Sequence, residues 1–256
     1  MAQYWWHPNA ADLNGPPAEF VYRGWGSGPP VKTVLYDAVI GRHYLEVDPS
    51  LSGVYGPRDD GSGQPFGTGA TIWDAPANIE LFVDMAFDHL GTYDNRLPAF
   101  LAARDISAGI YGDRSSRLVC GAQGGSGFHL YWSSSSLGSV SFNHSALRGR
   151  LLAYRMSAVE DQIKAKYWDK DNNEPAGWDI EVTNTSALPG AHSNYYCGLS
   201  GVDVGGIYRV YGLGIGTDGD PAPSEPLPVG AAPVLSSAEA TFILDTSVVP
   251  NMVQDF

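Results

Sequence analysis

Apolar residues along the chain recur with a period of two far more often than with the helical spacing i, i+3, i+4 and i+7. The run from Ile79 to Asp88 is the clearest. Leu81, Val83, Met85 and Phe87 fall on one side of an extended strand, and Glu80, Asp84 and Asp88 on the other. This predicts a strand with one face in the core and one in water. Similar runs predict strands over Val31 to Val39, Arg42 to Val47, Gly127 to Trp132, Val140 to Phe142, Leu151 to Met156, Gln162 to Trp168, Trp178 to Thr183 and Gly206 to Gly212. Clusters of Gly, Pro, Asn, Asp or Ser separate most of them, as turns require. The crossover helices of a βαβ fold are missing, so the pattern points to an all-β, antiparallel two-sheet sandwich.

The ends read differently. Residues 1–19 form an irregular N-terminal arm with Trp5 and Trp6, too short to hold a core of its own. Residues 20–218 form the sandwich. Residues 219–237 are rich in proline among small residues, which favours an extended, semi-rigid linker. Residues 238–256 add one more strand-like run, Ala238 to Asp245; a lone strand of that size must pair with the main domain or another subunit.

Composition sharpens this reading. With 256 residues, 43% hydrophobic and 17% charged, the chain has ample apolar surface for a core. Its 31 glycines and 18 prolines fit many turns. A net charge of −13 opposes binding to polyanions and anionic bilayers, so neither nucleic acid nor a membrane is an expected partner. The first residues have neither a basic region nor an apolar one, so no cleaved secretion signal is expected. The two cysteines, Cys120 and Cys197, allow one bridge, but two separate core thiols are the favoured reading.

The stretch from Leu147 to Pro223 carries more. It reads as a strand LLAYRM, a strand IKAKYWD, a turn KDNNEPAG, a strand WDIEVT, a glycine-bearing connection and a closing strand GGIYRVYGLGIGTDGDPAP. This order resembles the second half of the concanavalin A-like (LamG-like) jelly roll in virion proteins of tailed phages. There an Arg-containing strand precedes Lys-x-Lys-x-Trp, a turn ending Glu-Pro-x-x-Trp, and a closing strand running into Asp-Gly and prolines. Lys164, Lys166, Trp168, Glu174, Pro175, Trp178, Asp218 and Gly219 match it, and Arg104 stands at the family's earlier arginine. The resemblance spans residues 20 to 222 and implies a jelly-roll virion structural protein, made in the host cytoplasm and displayed on the particle as head decoration or as part of a tail fibre or spike.

The Glu-x-Asp-x-(x)-Glu motif of glucanases on this scaffold is absent. Glu80 and Asp84 are about 13 Å apart along a strand, too far for a glycosidase pair. Asp179 with Glu181, or Glu46 with Asp48, are closer, but a solvated strand face explains them as well. Asp169, Asp171 and Asn173 begin like a calcium loop, yet Glu174 and Ile180 stand where glycine and a bidentate glutamate are needed. A structural calcium ion at Asp59 and Asp60, or at Asp218 and Asp220, is the weaker alternative to simple turn chemistry. No cofactor, metal ligand set or catalytic residue is assigned.

Aromatic side chains are the remaining candidates. Tyr131 and Trp132, with Tyr195 and Tyr196, could form a sugar-stacking platform. Trp5, Trp6, Phe242, Leu244 and Phe256 are the candidate assembly contacts of the two arms, since an extended arm can add a strand to a neighbour's sheet edge. The sequence therefore predicts a non-enzymatic virion component that forms homo-oligomers and contacts other virion proteins. The alternative is a module binding a host surface glycan, and a polysaccharide hydrolase ranks last.

Overall fold

The computed structural model describes residues 2–15, 17–24, 32–47, 53–62, 64–69, 73, 78–87, 96–103, 117–123, 127–132, 135–147, 149–183, 195–201 and 208–225, some strand positions by backbone alone. Its centre is the run singled out above: Ile79–Phe87 forms a strand whose Leu81, Val83 and Met85 are fully buried. Fifteen strands follow in chain order: β1 Ala2–Trp6, β2 Phe20–Gly24, β3 Lys32–Asp37, β4 Arg42–Val47, β5 Gly53–Pro57, β6 Ile79–Phe87, β7 Arg96–Ala103, β8 Arg117–Gln123, β9 Gly127–Trp132, β10 Ser135–Ser141, β11 Leu152–Val159, β12 Gln162–Asp169, β13 Ile180–Thr183, β14 Tyr195–Gly201 and β15 Tyr208–Thr217. A four-residue helix, α1 (His144–Leu147), joins β10 to β11.

Among the described residues these strands pair antiparallel with one another, and they make two sheets. Sheet A runs β13-β12-β11-β6-β15-β4-β3, with β1 also on β15; sheet B runs β10-β9-β8-β7-β14-β5-β2. The central triplet β6-β15-β4 of one sheet is matched by β7-β14-β5 of the other, because the chain crosses between sheets at each of these steps. The chain thus forms the expected all-β antiparallel sandwich of jelly-roll winding.

The core lies between the sheets. Leu81, Val83, Met85, Leu152, Tyr154, Met156, Ile163, Val210, Leu213 and Ile215 of sheet A meet Cys120, Phe128, Leu130, Cys197 and Leu199 of sheet B in one cluster. Each such side chain contributes about 1.5–3 kcal/mol by leaving water. Cys120 and Cys197 are free and buried, on strands separated by β7. Two inter-strand spacings, about 9.5 Å, exceed a disulfide's reach.

Two expectations are corrected. The lead is not wholly irregular: β1 pairs with the second half of β15, from Ala2 opposite Thr217 to Trp6 opposite Leu213, on the edge where β4 has already ended. Nor is the second face of β6 wet. Phe82 and Asp84 are 0% and 1% exposed, because another layer covers this outer face of sheet A. After β15 the chain turns at Asp218 and Gly219, both with positive φ, and residues 220–225 return across the sheet as a strap. A methyl group on Gly214 would run into the carbonyl of Pro223, and one on Gly212 into the ring of Trp5; only glycine permits these approaches. Residues 2–6 and 220–225 are thus packed into the sandwich rather than lying in an arm and a linker, and residues 226–256 lie outside the described residues.

Candidate functional site

The outer face of sheet A carries an unusual density of charge for a buried surface. Beneath the strap, Arg155 on β11 donates to Glu80 on β6, to Glu174 at 2.9 Å and to the Ala222 carbonyl at 2.6 Å. Glu80 in turn accepts the Ala222 N–H at 3.0 Å. Lys166 on β12 bonds Glu174 at 2.8 Å and the Pro175 carbonyl at 2.7 Å, and lies over the Trp178 ring at 4.8 Å. Two cations and two carboxylates close on themselves here. Burial works to raise the Glu174 carboxyl, but the Lys166 hydrogen bond and the Arg155 charge outweigh it and hold it below the usual range. These are the residues of the Lys-x-Lys-x-Trp and Glu-Pro-x-x-Trp phrase, and packing alone accounts for them.

Further along the face a second cluster opens to solvent. The β3–β4 turn is built by Asp37, whose Oδ1 accepts from Val39 and Ile40 at 2.9 and 3.1 Å, and by Gly41 in the left-handed region at φ 74°. Its Oδ2 accepts from Tyr211 at 2.8 Å and Arg209 at 3.1 Å, and these bonds hold the Asp37 carboxyl low despite burial. A β-bulge at Tyr211 turns that ring to the outer side, against Tyr44 and Ala86. The turn thereby delivers Arg42 and His43 to a fixed place. Arg42 donates to Asp84 Oδ2 at 3.0 Å and to the Tyr211 carbonyl at 3.1 Å. Lys170, just past β12, stands 3.7 Å from the same Asp84 oxygen, 3.5 Å from the Ser224 carbonyl and 5.2 Å from the Phe82 ring centre. Asp84 Oδ1 is buried without a hydrogen-bond partner. Burial pushes the Asp84 carboxyl up, and Lys170 and Arg42 offset this only in part.

These groups wall a cleft of about 540 Å³. The N-terminal segment supplies Trp5, His7 and Asn9; the β3–β4 turn Gly41, Arg42 and His43; the strap Ser224 and Glu225; Asp84, Lys170 and Tyr211 form the rest. The volume is that of a small-molecule site. Trp5 lies over Phe82 with ring centroids 5.9 Å apart, and Asn9 caps the turn Ala10–Asp12, accepting from the Ala11 N–H at 2.8 Å. Chemically the cleft offers an aromatic wall, two positioned cationic donors and a shared buried carboxylate. That set suits recognition of hydroxylated or charged polar ligands.

The aromatic candidates fall elsewhere. Tyr131 is half-buried on β9 of sheet B, stacked on His129 with centroids 5.4 Å apart and its hydroxyl 3.3 Å from His129 Nδ1. Trp132 pairs with Leu118, and Tyr195 and Tyr196 with Ala103 and Ala102; their side chains lie outside the described residues. Successive strand positions fall on opposite faces, so these four positions do not share one face. Trp6 is 5% exposed, packed on Phe20 inside its own sandwich at 4.4 Å, and Trp5 lines the cleft. Both are thus engaged within the chain. Phe242, Leu244 and Phe256 lie outside the described residues.

Several of the acidic candidates are engaged in local structure, and Asp48 lies outside the described residues. Asp60 accepts from Ser62 and Gln64 backbone N–H groups at 2.7 and 3.0 Å, and Asp59 caps Gly61. Asp169 and Asp171 both pair with Arg150, and Asp179 accepts from the Tyr167 N–H at 3.0 Å. Among the described residues no group of three or more His, Cys, Asp or Glu could hold a metal ion.

No family model matches the chain, and no curated protein matches it in sequence. Among solved structures it is similar to lectin I-B4 from Griffonia simplicifolia in a metal-free form, with TM-score 0.50 and 10% identity over 84% of this chain and 99% of that one. It is also similar to winged bean acidic lectin complexed with methyl-α-D-galactose, with TM-score 0.49 and 8% identity over 83% and 97% of the two chains. A third is alginate lyase AlgAT5 from polysaccharide lyase family 7, with TM-score 0.44 and 13% identity over 72% and 81%. With the strand order above, the likeness to the Griffonia lectin makes the architecture a concanavalin A-like sandwich.

Proposed function

We propose that the chain is a carbohydrate-binding domain whose site is the cleft on the outer face of sheet A. The observation that carries this reading is the convergence of Trp5, Arg42, Lys170 and Asp84, from four separate stretches of chain, on one cleft of saccharide size. A flat indole beside fixed donors and an acceptor is what sugar rings require, since their C–H faces stack and their hydroxyls hydrogen-bond. The lectin fold suits this reading.

The role we assign is binding without catalysis. Asp84 is the carboxylate at the cleft floor, and Arg42 and Lys170 hold it. Glycoside hydrolysis needs two carboxyls flanking one bond, whereas Asp84 is tied to both cations at the floor and Glu225, the other carboxylate of the lining, stands exposed at the mouth. A glycan array tests the site: the wild type should bind, and Trp5→Ala and Arg42→Gln should abolish binding while Trp132→Ala leaves it intact. Binding lost in Trp132→Ala and kept in both others would move the site to sheet B. Release of reducing ends from bound polysaccharide would make the protein an enzyme.

For the setting we retain the virion surface, supported by the sequence phrase alone, with assembly in the host cytoplasm and with other virion proteins and copies of this chain as partners. Residues 226–256 are the assembly arm in that reading. Deleting them should leave a folded, non-assembling domain; an unchanged oligomeric state by light scattering would refute the arm.

A further inference from the structure

Resting on the carbohydrate reading, we infer that the cleft selects an acidic saccharide, one whose carboxylate is held by Arg42 and Lys170. Neighbouring charge clusters on the same sheet face differ in their balance. Arg155 and Lys166 face Glu80 and Glu174, two cations on two carboxylates. Arg209 faces Asp37. At the cleft floor, among the described residues, Arg42 and Lys170 share Asp84. Glu225, exposed at the mouth, is paired with neither among the described residues. At the cleft floor the two cations thus outnumber the carboxylate by one among the described residues, while Glu225 balances the lining as a whole from its exposed place at the mouth.

The geometry of the two cations points the same way. Arg42 spends one N–H on Asp84 and one on the Tyr211 carbonyl, and its guanidinium lies 5.7 Å from the Tyr211 ring centre. Its side chain is 37% exposed, and the rest of its five-donor fork is presented in a fixed plane, the arrangement that takes a carboxylate through two parallel hydrogen bonds. Among the described residues Lys170 makes long contacts, 3.7 Å to Asp84 and 3.5 Å to the Ser224 carbonyl, whereas Lys166 in the closed cluster sits 2.8 Å from its glutamate. An incoming carboxylate bridging Arg42 and Lys170 restores the balance found in the neighbouring clusters. The Trp5 wall takes the ring that bears it. The overall negative charge limits the ligand to a short oligosaccharide or chain end rather than the interior of a dense polyanion.

The test is titration calorimetry of the full chain against a panel of uronic-acid oligosaccharides, each paired with its carboxyl-reduced neutral form. At least one uronate should bind about tenfold or more tighter than its reduced partner, with affinity falling as salt rises. Arg42→Gln should remove the preference, and Lys164→Gln, at the opposite end of β12 from Lys170, should leave it unchanged. Reduced forms that bind as tightly as their uronates would overturn the acidic selectivity while the carbohydrate reading stands. Sulfated oligosaccharides preferred to every uronate would overturn the carboxylate assignment. No binding of either form, in folded protein, would overturn both readings.

Discussion

Around β6 both faces of sheet A are closed to water, by opposite means. The inner face is closed by Leu81, Val83, Met85 and the apolar residues of sheet B, which need only be hydrophobic and of fitting size. The outer face is closed by the strap, by Trp5 and Trp168 over Phe82, and by charged side chains that must each find a partner. The first kind of surface tolerates exchange among apolar residues. The second is all or nothing, because one missing partner strands a buried charge.

Substitutions can break this contrast. The largest effect is expected from Arg155→Ala, which leaves Glu80 and Glu174 facing each other under the strap and should cost roughly 3–5 kcal/mol in urea unfolding. Replacing all three by apolar residues of similar volume should recover most of that loss; no recovery would show that the network does more than close the surface. Leu81→Ala on the inner face should cost about 3 kcal/mol through the cavity it leaves. Gly214→Ala should displace the strap at Pro223 for about 1–3 kcal/mol, with loss of hydrogen-exchange protection at the Ala222 N–H and none at Val83.

Acid sharpens the comparison further. Glu174 is held below its ordinary 4.5, so the stability it contributes is complete above that value and drains as pH falls through its lowered one. Asp84 is raised above its ordinary 3.8, so its ionised form costs stability and protonation on acidification relieves it. Glu174→Gln should therefore flatten the loss of stability between about pH 5 and about pH 3, and Asp84→Asn should steepen it. Identical slopes in both variants would contradict the assigned shifts. The smallest effect, under about 0.5 kcal/mol, is expected for Lys164→Ala, whose 3.4 Å pair with Glu181 is solvated at the sheet edge.

Much of the fold was legible. β4 and β9 have the boundaries that alternation predicts, and β6 and β12 match within a residue. β1 was missed because AQYWW carries no alternation: Trp5 faces the cleft and Trp6 the core, so both faces of the strand are apolar. β15 was cut short at Gly212 because its outer positions 212, 214 and 216 are glycines, which read as turn residues until the covering segments explain them. The cleft left no local signature at all, since its walls come from residues 5, 42, 84, 170 and 225. The sign that could have been noticed was an aspartate amid ELFVDMAF, flanked by buried apolar positions and so in need of a partner.

Local order alone determined the strands and the inner core, because a period of two in hydrophobicity is a property of neighbours in sequence and leaves an antiparallel sandwich as its packing. Which residues become a site was settled only when β15 and its return strap brought distant segments over the second face. The burial of Asp84, the sharing of it by Arg42 and Lys170, and the placing of both cations beside Trp5 are relations between atoms more than 80 residues apart in places, and no window along the chain contains them.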